Sequence, residues 1–206
     1  MKNFIFNMPT HVMFGAGQLA HLHEQKLPGK KALIITSNGQ SAKKYGYLAR
    51  TEKELELASV EHTLFDEIRP NPTRENVMDG ARAVKENACD FVVALGGGSV
   101  MDCAKCIALM AVNAGDIWDY SLSSQGGKKT PEFDAIPIVA ITTSAGTGSE
   151  VDIAAVISND ATKEKTGIFF PSMFPTISVV DPDLMMSVPP KFTAYQGTVS
   201  YTHLRA

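Results

Sequence analysis

The sequence predicts an α/β fold: a parallel sheet with helices on both faces. Three observations carry that expectation. Short apolar runs alternate with longer segments of helical period between residues 31 and about 143, and strand–helix–strand alternation implies parallel pairing through right-handed crossovers. The run CDFVVALGGGS (Cys89 to Ser99) has a continuous apolar centre, as a strand covered on both faces requires. Strings rich in glycine, serine and threonine follow the runs directly, at the carboxyl ends where open α/β sheets hold their ligands.

The elements follow in order. KALIITSNG (Lys31 to Gly39) reads as a buried strand that runs into a turn. Ser41 to Ala58 reads as one helix, with Leu48, Leu55 and Leu57 among its apolar positions, and Ser59 to Ile68 as a second strand. Within Pro70 to Ala88 a rigid Pro-Asn-Pro turn precedes a helix that Thr73 is placed to cap. The third strand ends in Gly96-Gly97-Gly98-Ser99. In the helix after it, Val100, Cys103, Ala104, Ile107 and Ala108 recur at i, i+3, i+4, i+7 and i+8, one helix face. Ser99 is the expected cap of that helix, and Asp102 completes an S-x-x-D capping pattern. Ala135 to Thr143 is a fourth strand. Val151 to Asp160, Thr166 to Phe170 and Thr176 to Pro182 read as shorter strands, with a hairpin added to the sheet. The polar stretch Ser121 to Asp134 reads as a surface loop.

Composition narrows the function classes. The chain has 206 residues, 44% hydrophobic and 20% charged, with a net charge of −3, which is ordinary for a globular domain. No Lys/Arg-rich run invites nucleic acid. No apolar stretch approaches the roughly 20 residues that span a bilayer, and Asn7 and Pro9 interrupt the N-terminus too early for a signal-peptide core. A cytoplasmic location is expected. Cys103 and Cys106 form a C-x-x-C without the second pair that a Cys₄ zinc site needs; they read as small residues packing a helix. The five histidines are scattered and none belongs to an H-E-x-x-H.

The glycine loop carries the most information. Gly96, Gly97 and Gly98 let backbone approach closely, and the helix that follows presents free N–H groups and a partial positive charge, an anion site. A plain tight turn with a capped helix is the alternative. Neither G-x-G-x-x-G nor G-x-x-x-x-G-K-[ST] is present. Two further loops keep it company. Ile141 to Val151 (ITTSAGTGSEV) offers the hydroxyls of Thr142, Thr143, Ser144, Thr147 and Ser149, and Arg69 to Thr73 (RPNPT) holds Asn71 between two prolines. Three such loops would face one crevice.

The strings PNPT, GGGSVMDCAK and TTSAGTGSEV, in this order, resemble the iron-containing alcohol dehydrogenases over about residues 4 to 197. DPDLMMSVPP resembles the segment that closes that family's N-terminal domain, and KFTAYQG the start of its helical domain. The resemblance implies a Rossmann-like dinucleotide-binding domain over residues 1 to 190, an all-helical iron domain beginning at 191, and hydride transfer between a primary alcohol or aldehyde and NAD(P). It implies Gly97, Gly98 and Ser99 on the pyrophosphate, and Asn71, Thr143, Ser144 and Thr147 lining the cleft. It also implies Val151 near the nicotinamide, Lys165 beside a ribose, and Asp102 near the same end of the cofactor. Ser37 stands where NAD-preferring relatives carry aspartate; with Lys43 and Lys44 close by in sequence, this leans towards NADP(H). A homo-oligomer is expected of the full-length enzyme. Fe²⁺ is expected there too, bound through a helix that continues Gly-x-Asp-Ala-x-x-x-His. Here Gly197 is followed by TVSYTHLRA, with Val199 in the aspartate's place, His203 in register with the histidine, and a run from Thr198 to Thr202 that leans to β. Residues 198 to 206 are therefore expected to be foreign to the family and the helical domain to be missing. On that expectation the chain contains no catalytic or metal-ligating residue and is inactive alone. A dehydroquinate synthase-type NAD-dependent lyase is the alternative enzyme. TTSAGTGSE, and the lack of basic residues suited to an acidic substrate, weigh against it. A dinucleotide-binding module without catalysis is the third possibility.

Overall fold

In the computed structural model, which describes residues 3, 5, 7–123 and 126–205 (without the side chains of 199, 200 and 202–205), six strands lie side by side in one sheet. In chain order the elements are β1 (His11–Phe14), β2 (Lys31–Ser37), α1 (Ser41–Lys44), α2 (Tyr47–Leu57), β3 (Glu61–Ile68) and α3 (Arg74–Glu86). There follow β4 (Phe91–Gly96), α4 (Gly98–Met110), β5 (Ile138–Thr142), β6 (Ala154–Asn159), β7 (Glu164–Phe169), β8 (Ile177–Val180) and α5 (Pro190–Arg205). The sheet order is β1-β8-β5-β4-β2-β3 and every pairing is parallel. The chain leaves β2 for the edge strand β3, then returns to β4 on the other side of β2. That reversal creates a crevice at the carboxyl ends of β2 and β4, where doubly wound sheets place their ligands.

The strands alternate between two cores. Leu33, Ile35, Val92, Ala94, Ile138 and Ala140 face α3 and α4, together with Trp118. Ala32, Ile34, Phe91, Val93, Val139 and Ile141 face α2 and the short helical segment Gln18–Glu24. Helices thus cover both faces, as the continuous apolar strands require.

Several details depart from the sequence expectations. The helix expected over 41–58 breaks in two, because Gly46 adopts φ 71°, a left-handed conformation that glycine tolerates. The segment 176–182 supplies β8, an interior strand rather than part of a hairpin, and it pairs with β1, which is short and mostly exposed and so gave no signal. The hairpin exists as β6 and β7 but forms its own two-stranded sheet. Ala155, Ile157 and Ile168 bury into the cluster around α4, so the hairpin lies over that helix instead of extending the large sheet. Ten residues of α4 are buried, including Met101, Lys105, Cys106, Leu109 and Met110 outside the expected face; it is enclosed by sheet, α3 and hairpin. The run from Thr198 to Thr202 is helical, within α5. The Thr198 hydroxyl donates to the Ala194 carbonyl at 2.9 Å, and the helix already under way from Pro190 overrides a weak β preference. In the loop 121–134, residues 124 and 125 lie outside the described residues.

Candidate functional site

The crevice is a cleft of about 440 Å³. It is lined by Thr36 and Ser37 at the end of β2, Ser41 and Ala42 of α1, Tyr47 of α2, Gly96 to Ser99 at the junction of β4 and α4, and Thr143 and Ser144 after β5. Arg69 and Pro70 after β3, Ser187 to Pro189, and Phe192 and Gln196 of α5 complete the lining.

The glycine loop is built for closeness. None of Gly96, Gly97 and Gly98 has a positive φ. A Cβ at Gly97 would instead stand 2.7 Å from Ser144 Oγ, and one at Gly98 would stand 3.1 Å from Thr147 Cγ2. The first and second loops therefore pack directly against each other, and Thr143 N–H donates to the Gly96 carbonyl at 3.0 Å. Gly97 is the cap residue of α4, with extended backbone and no side-chain cap. Among the described residues the N–H groups of Gly98 and Ser99 find no partner, while those of Val100 and Met101 bond to the Gly97 carbonyl. The N-terminus of a 13-residue helix thus opens on the cleft with its donors free. This corrects the expectation that Ser99 caps the helix: Ser99 lies inside its first turn. By contrast α3 has a complete capping box, Thr73 accepting from Asn76 N–H at 3.3 Å and Asn76 Oδ1 from Thr73 N–H at 3.4 Å.

Asp102 does not cap either. Its carboxylate turns to the hairpin, accepting from the Ser149 hydroxyl at 2.8 Å and from Val156 N–H at 3.0 Å. Burial pushes this carboxyl above the ordinary aspartate range, against the pull of those two bonds and of Lys105. Lys105, one turn on and fully buried, donates to Ser149 Oγ (3.0 Å), Asp152 Oδ1 (2.7 Å) and the Ala154 carbonyl (2.9 Å). Three donors and three acceptors match. Asp102 and Lys105 together tie the glycine-loop helix to the end of the second loop and to β6.

The structure brings Ser37, Gly97, Gly98, Ser99, Thr143 and Ser144 into one cleft, with Thr147 at its rim beside Gly98. Val151 lies half-buried in the short turn Ser149–Val151 next to this network. Asn71 and Lys165 are exposed and bond to each other, Lys165 Nζ donating to Asn71 Oδ1 at 2.8 Å. Neither lines the cleft in this state. Lys43 is ion-paired with Asp66, and Lys44 sits 5.5 Å over the Tyr45 ring. Sequence reasoning overlooked Lys105 and Arg69, whose settings depend on contacts distant in sequence; RPNPT did place Arg69 in a loop facing the crevice.

Cys103 and Cys106 are free, fully buried thiols whose ionisation burial suppresses. Among the described residues no group of three or more His, Cys, Asp or Glu is placed to hold a metal ion. The side chains of Val199 and His203 lie outside the described residues. No helix among the described residues is long and apolar enough to cross a membrane.

Comparison with known proteins bears on the family and the fold. A family model described as iron-containing alcohol dehydrogenase matches residues 9–182. The 1,3-propanediol dehydrogenase of Klebsiella pneumoniae is 38% identical over 204 residues, covering 98% of this chain and 51% of the relative. The crystal structure of NADH-dependent butanol dehydrogenase A from Thermotoga maritima superposes with a TM-score of 0.88 at 33% identity, covering 95% of this chain and 48% of that one. Sulfoacetaldehyde reductase from Bifidobacterium kashiwanohense, solved in complex with NAD⁺, gives 0.83 at 30% identity, covering 96% and 51%. The chain spans about half the length of the relatives it matches.

Proposed function

The chain belongs to the iron-containing alcohol dehydrogenase family, and from that premise we propose that its cleft binds a nicotinamide dinucleotide for hydride transfer between a primary alcohol or aldehyde and NAD(P). The observation that carries this is the uncapped N-terminus of α4, whose free N–H groups open on the cleft. A helix end with free donors favours an anion, and a glycine backbone lets a pyrophosphate approach it closely.

Gly97, Gly98 and Ser99 hold the pyrophosphate, and Ser37 meets the adenosine ribose at the end of β2. Thr143, Ser144 and Thr147 supply hydroxyls along the cleft, and Val151 gives an apolar surface near the nicotinamide. Asn71 and Lys165 act as a pair at its ribose, the hairpin bringing the lysine in. Asp102 acts through its hold on Ser149 and Val156, not by touching the cofactor. When bound, the dinucleotide supplies the hydride acceptor or donor; the protein supplies position and electrostatics. The described residues do not fit the iron in the family's name, since no three candidate ligands converge, and no step in this chain is assigned to it. Ser37 in place of a carboxylate supports NADP(H) over NAD(H). The alcohol or aldehyde partner and a homo-oligomeric whole enzyme belong to the same proposal.

Calorimetry with NADH and NADPH tests the cleft. Gly97→Val is expected to abolish binding, because the branched side chain fills the pyrophosphate's place and meets Ser144. Gly98→Pro removes one free N–H at the first helical position, where proline is tolerated after an extended residue. It is expected to weaken binding at least tenfold, the loss of a hydrogen bond to a charged group worth about 1.5–3 kcal/mol. Its Cβ also presses on Thr147, 3.1 Å from Cγ2, so a thermal melt of the unliganded variant checks that it folds. Gly98→Ala, which adds the Cβ but keeps the N–H, separates the two effects. Unchanged affinity in a folded Gly98→Pro protein would overturn the assignment.

A further inference from the structure

We infer that Arg69 is the residue that selects for a phosphate on the adenosine ribose, the mark that distinguishes NADP(H) from NAD(H). The inference rests on the placing of a dinucleotide in the cleft and goes beyond it by naming the discriminating cation. β2 and β3 pair in parallel, with Ser37 opposite Ile68. The Asn38 N–H then donates to the Ile68 carbonyl at 2.9 Å. Arg69, the next residue, therefore emerges beside Ser37, and the two line the cleft together with Ser41.

The nearer candidates by sequence are engaged elsewhere. Lys43 pairs with Asp66, and Lys44 lies over the Tyr45 ring. Arg69 is exposed, and among the described residues it has no ion pair or side-chain hydrogen bond. It stands on the wall between the cleft and a second, polar hollow lined by Glu67, Glu75, Asp79 and Asp160. Those carboxylates disfavour an anion on the far side, whereas on the cleft side Arg69 shares the lining with the hydroxyl-bearing Ser37 and Ser41. A planar guanidinium beside two hydroxyls suits a dianionic phosphate, which it can grip through two parallel N–H bonds.

The test compares ligands that differ by that one phosphate: NADPH against NADH, and 2′,5′-ADP against 5′-AMP, by calorimetry on the whole chain. Arg69→Gln is expected to weaken NADPH and 2′,5′-ADP about tenfold and to leave NADH and 5′-AMP within twofold. Arg69→Lys recovers part of the loss, and Lys43→Gln changes none of the four. Equal weakening of both members of a pair, or unchanged NADPH and 2′,5′-ADP affinity, overturns the inference. The two levels separate: NADH and NADPH bound alike by wild type and Arg69→Gln refutes Arg69 and leaves the cleft assignment intact. Arg69-dependent binding of 2′,5′-ADP without either dinucleotide supports Arg69 and refutes the dinucleotide. Failure of all four ligands to bind refutes both.

Discussion

Asp102 and Lys105 sit one turn apart on α4, and the partners that decide their roles lie 44 to 54 residues further along the chain. The S-x-x-D spacing around Ser99 was legible and suggested a cap; the hydrogen bonds to Ser149 and Val156 were not, because no local pattern encodes a partner brought in by a crossover. The arrangement has a pH signature. Burial raises the Asp102 carboxyl in the folded chain, so the native state keeps this proton to higher pH than the unfolded state. Its stabilising contribution is full below the unfolded pKa of about 3.9 and drains away as pH rises through the folded value. The unfolding free energy of wild type minus that of Asp102→Asn should therefore fall as pH rises from the ordinary aspartate range; a difference that grows with pH refutes this. Lys105→Met leaves Asp102 and Asp152 without their cation and two acceptors unpaired. The half-exposed Asp152 regains water, which places the loss at the lower end for a broken buried pair, about 3 kcal/mol. A urea titration that finds less than about 1 kcal/mol would show that the hairpin does not depend on this latch.

At the scale of elements, what was read correctly had a local cause. Thr73 caps α3 as its place after Pro72 suggested, and the box it makes with Asn76 is complete. Thr73→Ala should cost about 1 kcal/mol of stability and, since Thr73 lies outside the cleft lining, leave dinucleotide affinity unchanged. Equal urea midpoints for the two proteins would contradict the capping role. Of the two misreadings, one had a local cause and one a non-local cause. Apolar period along 41–58 is continuous, yet Gly46 turns the chain and separates α1 from α2. The short strands near the end could not be sorted by pattern, since β8 is an interior strand and β6 and β7 a hairpin on α4. Choosing between these depends on which surface remains uncovered after the other elements have packed. The glycine loop falls between the two cases. Its place after a strand was legible, but the pressing of Gly97 on Ser144 and of Gly98 on Thr147 was visible only once both loops had been brought to the same end of the sheet.

At the scale of the molecule, the six-stranded parallel sheet and its reversal between β2 and β4 open a cleft at the carboxyl ends of the strands. The cleft is lined by the carboxyl ends of strands, the N-termini of α1, α2 and α4, and the segment 187–196. The four histidines whose side chains are described lie elsewhere. His11 begins β1 and His62 lies near the start of β3, both at the amino-terminal edge of the sheet. His21 and His23 lie in the helical segment Gln18–Glu24 and are held by Glu24 and Glu54 at 3.1 and 2.6 Å. A catalytic metal commonly needs three protein ligands around one point, and the described residues converge on none. The 206-residue chain, purified and dialysed against a mild chelator, should therefore hold far less than one iron or zinc per chain and oxidise no alcohol. It should still bind a nicotinamide dinucleotide with the affinity it had before chelation. Metal analysis and calorimetry on the same sample decide the matter. One tightly held metal per chain, or dinucleotide binding that disappears with the metal, would mean that a metal centre is assembled within these residues and that the expectation of a cleft independent of metal is wrong.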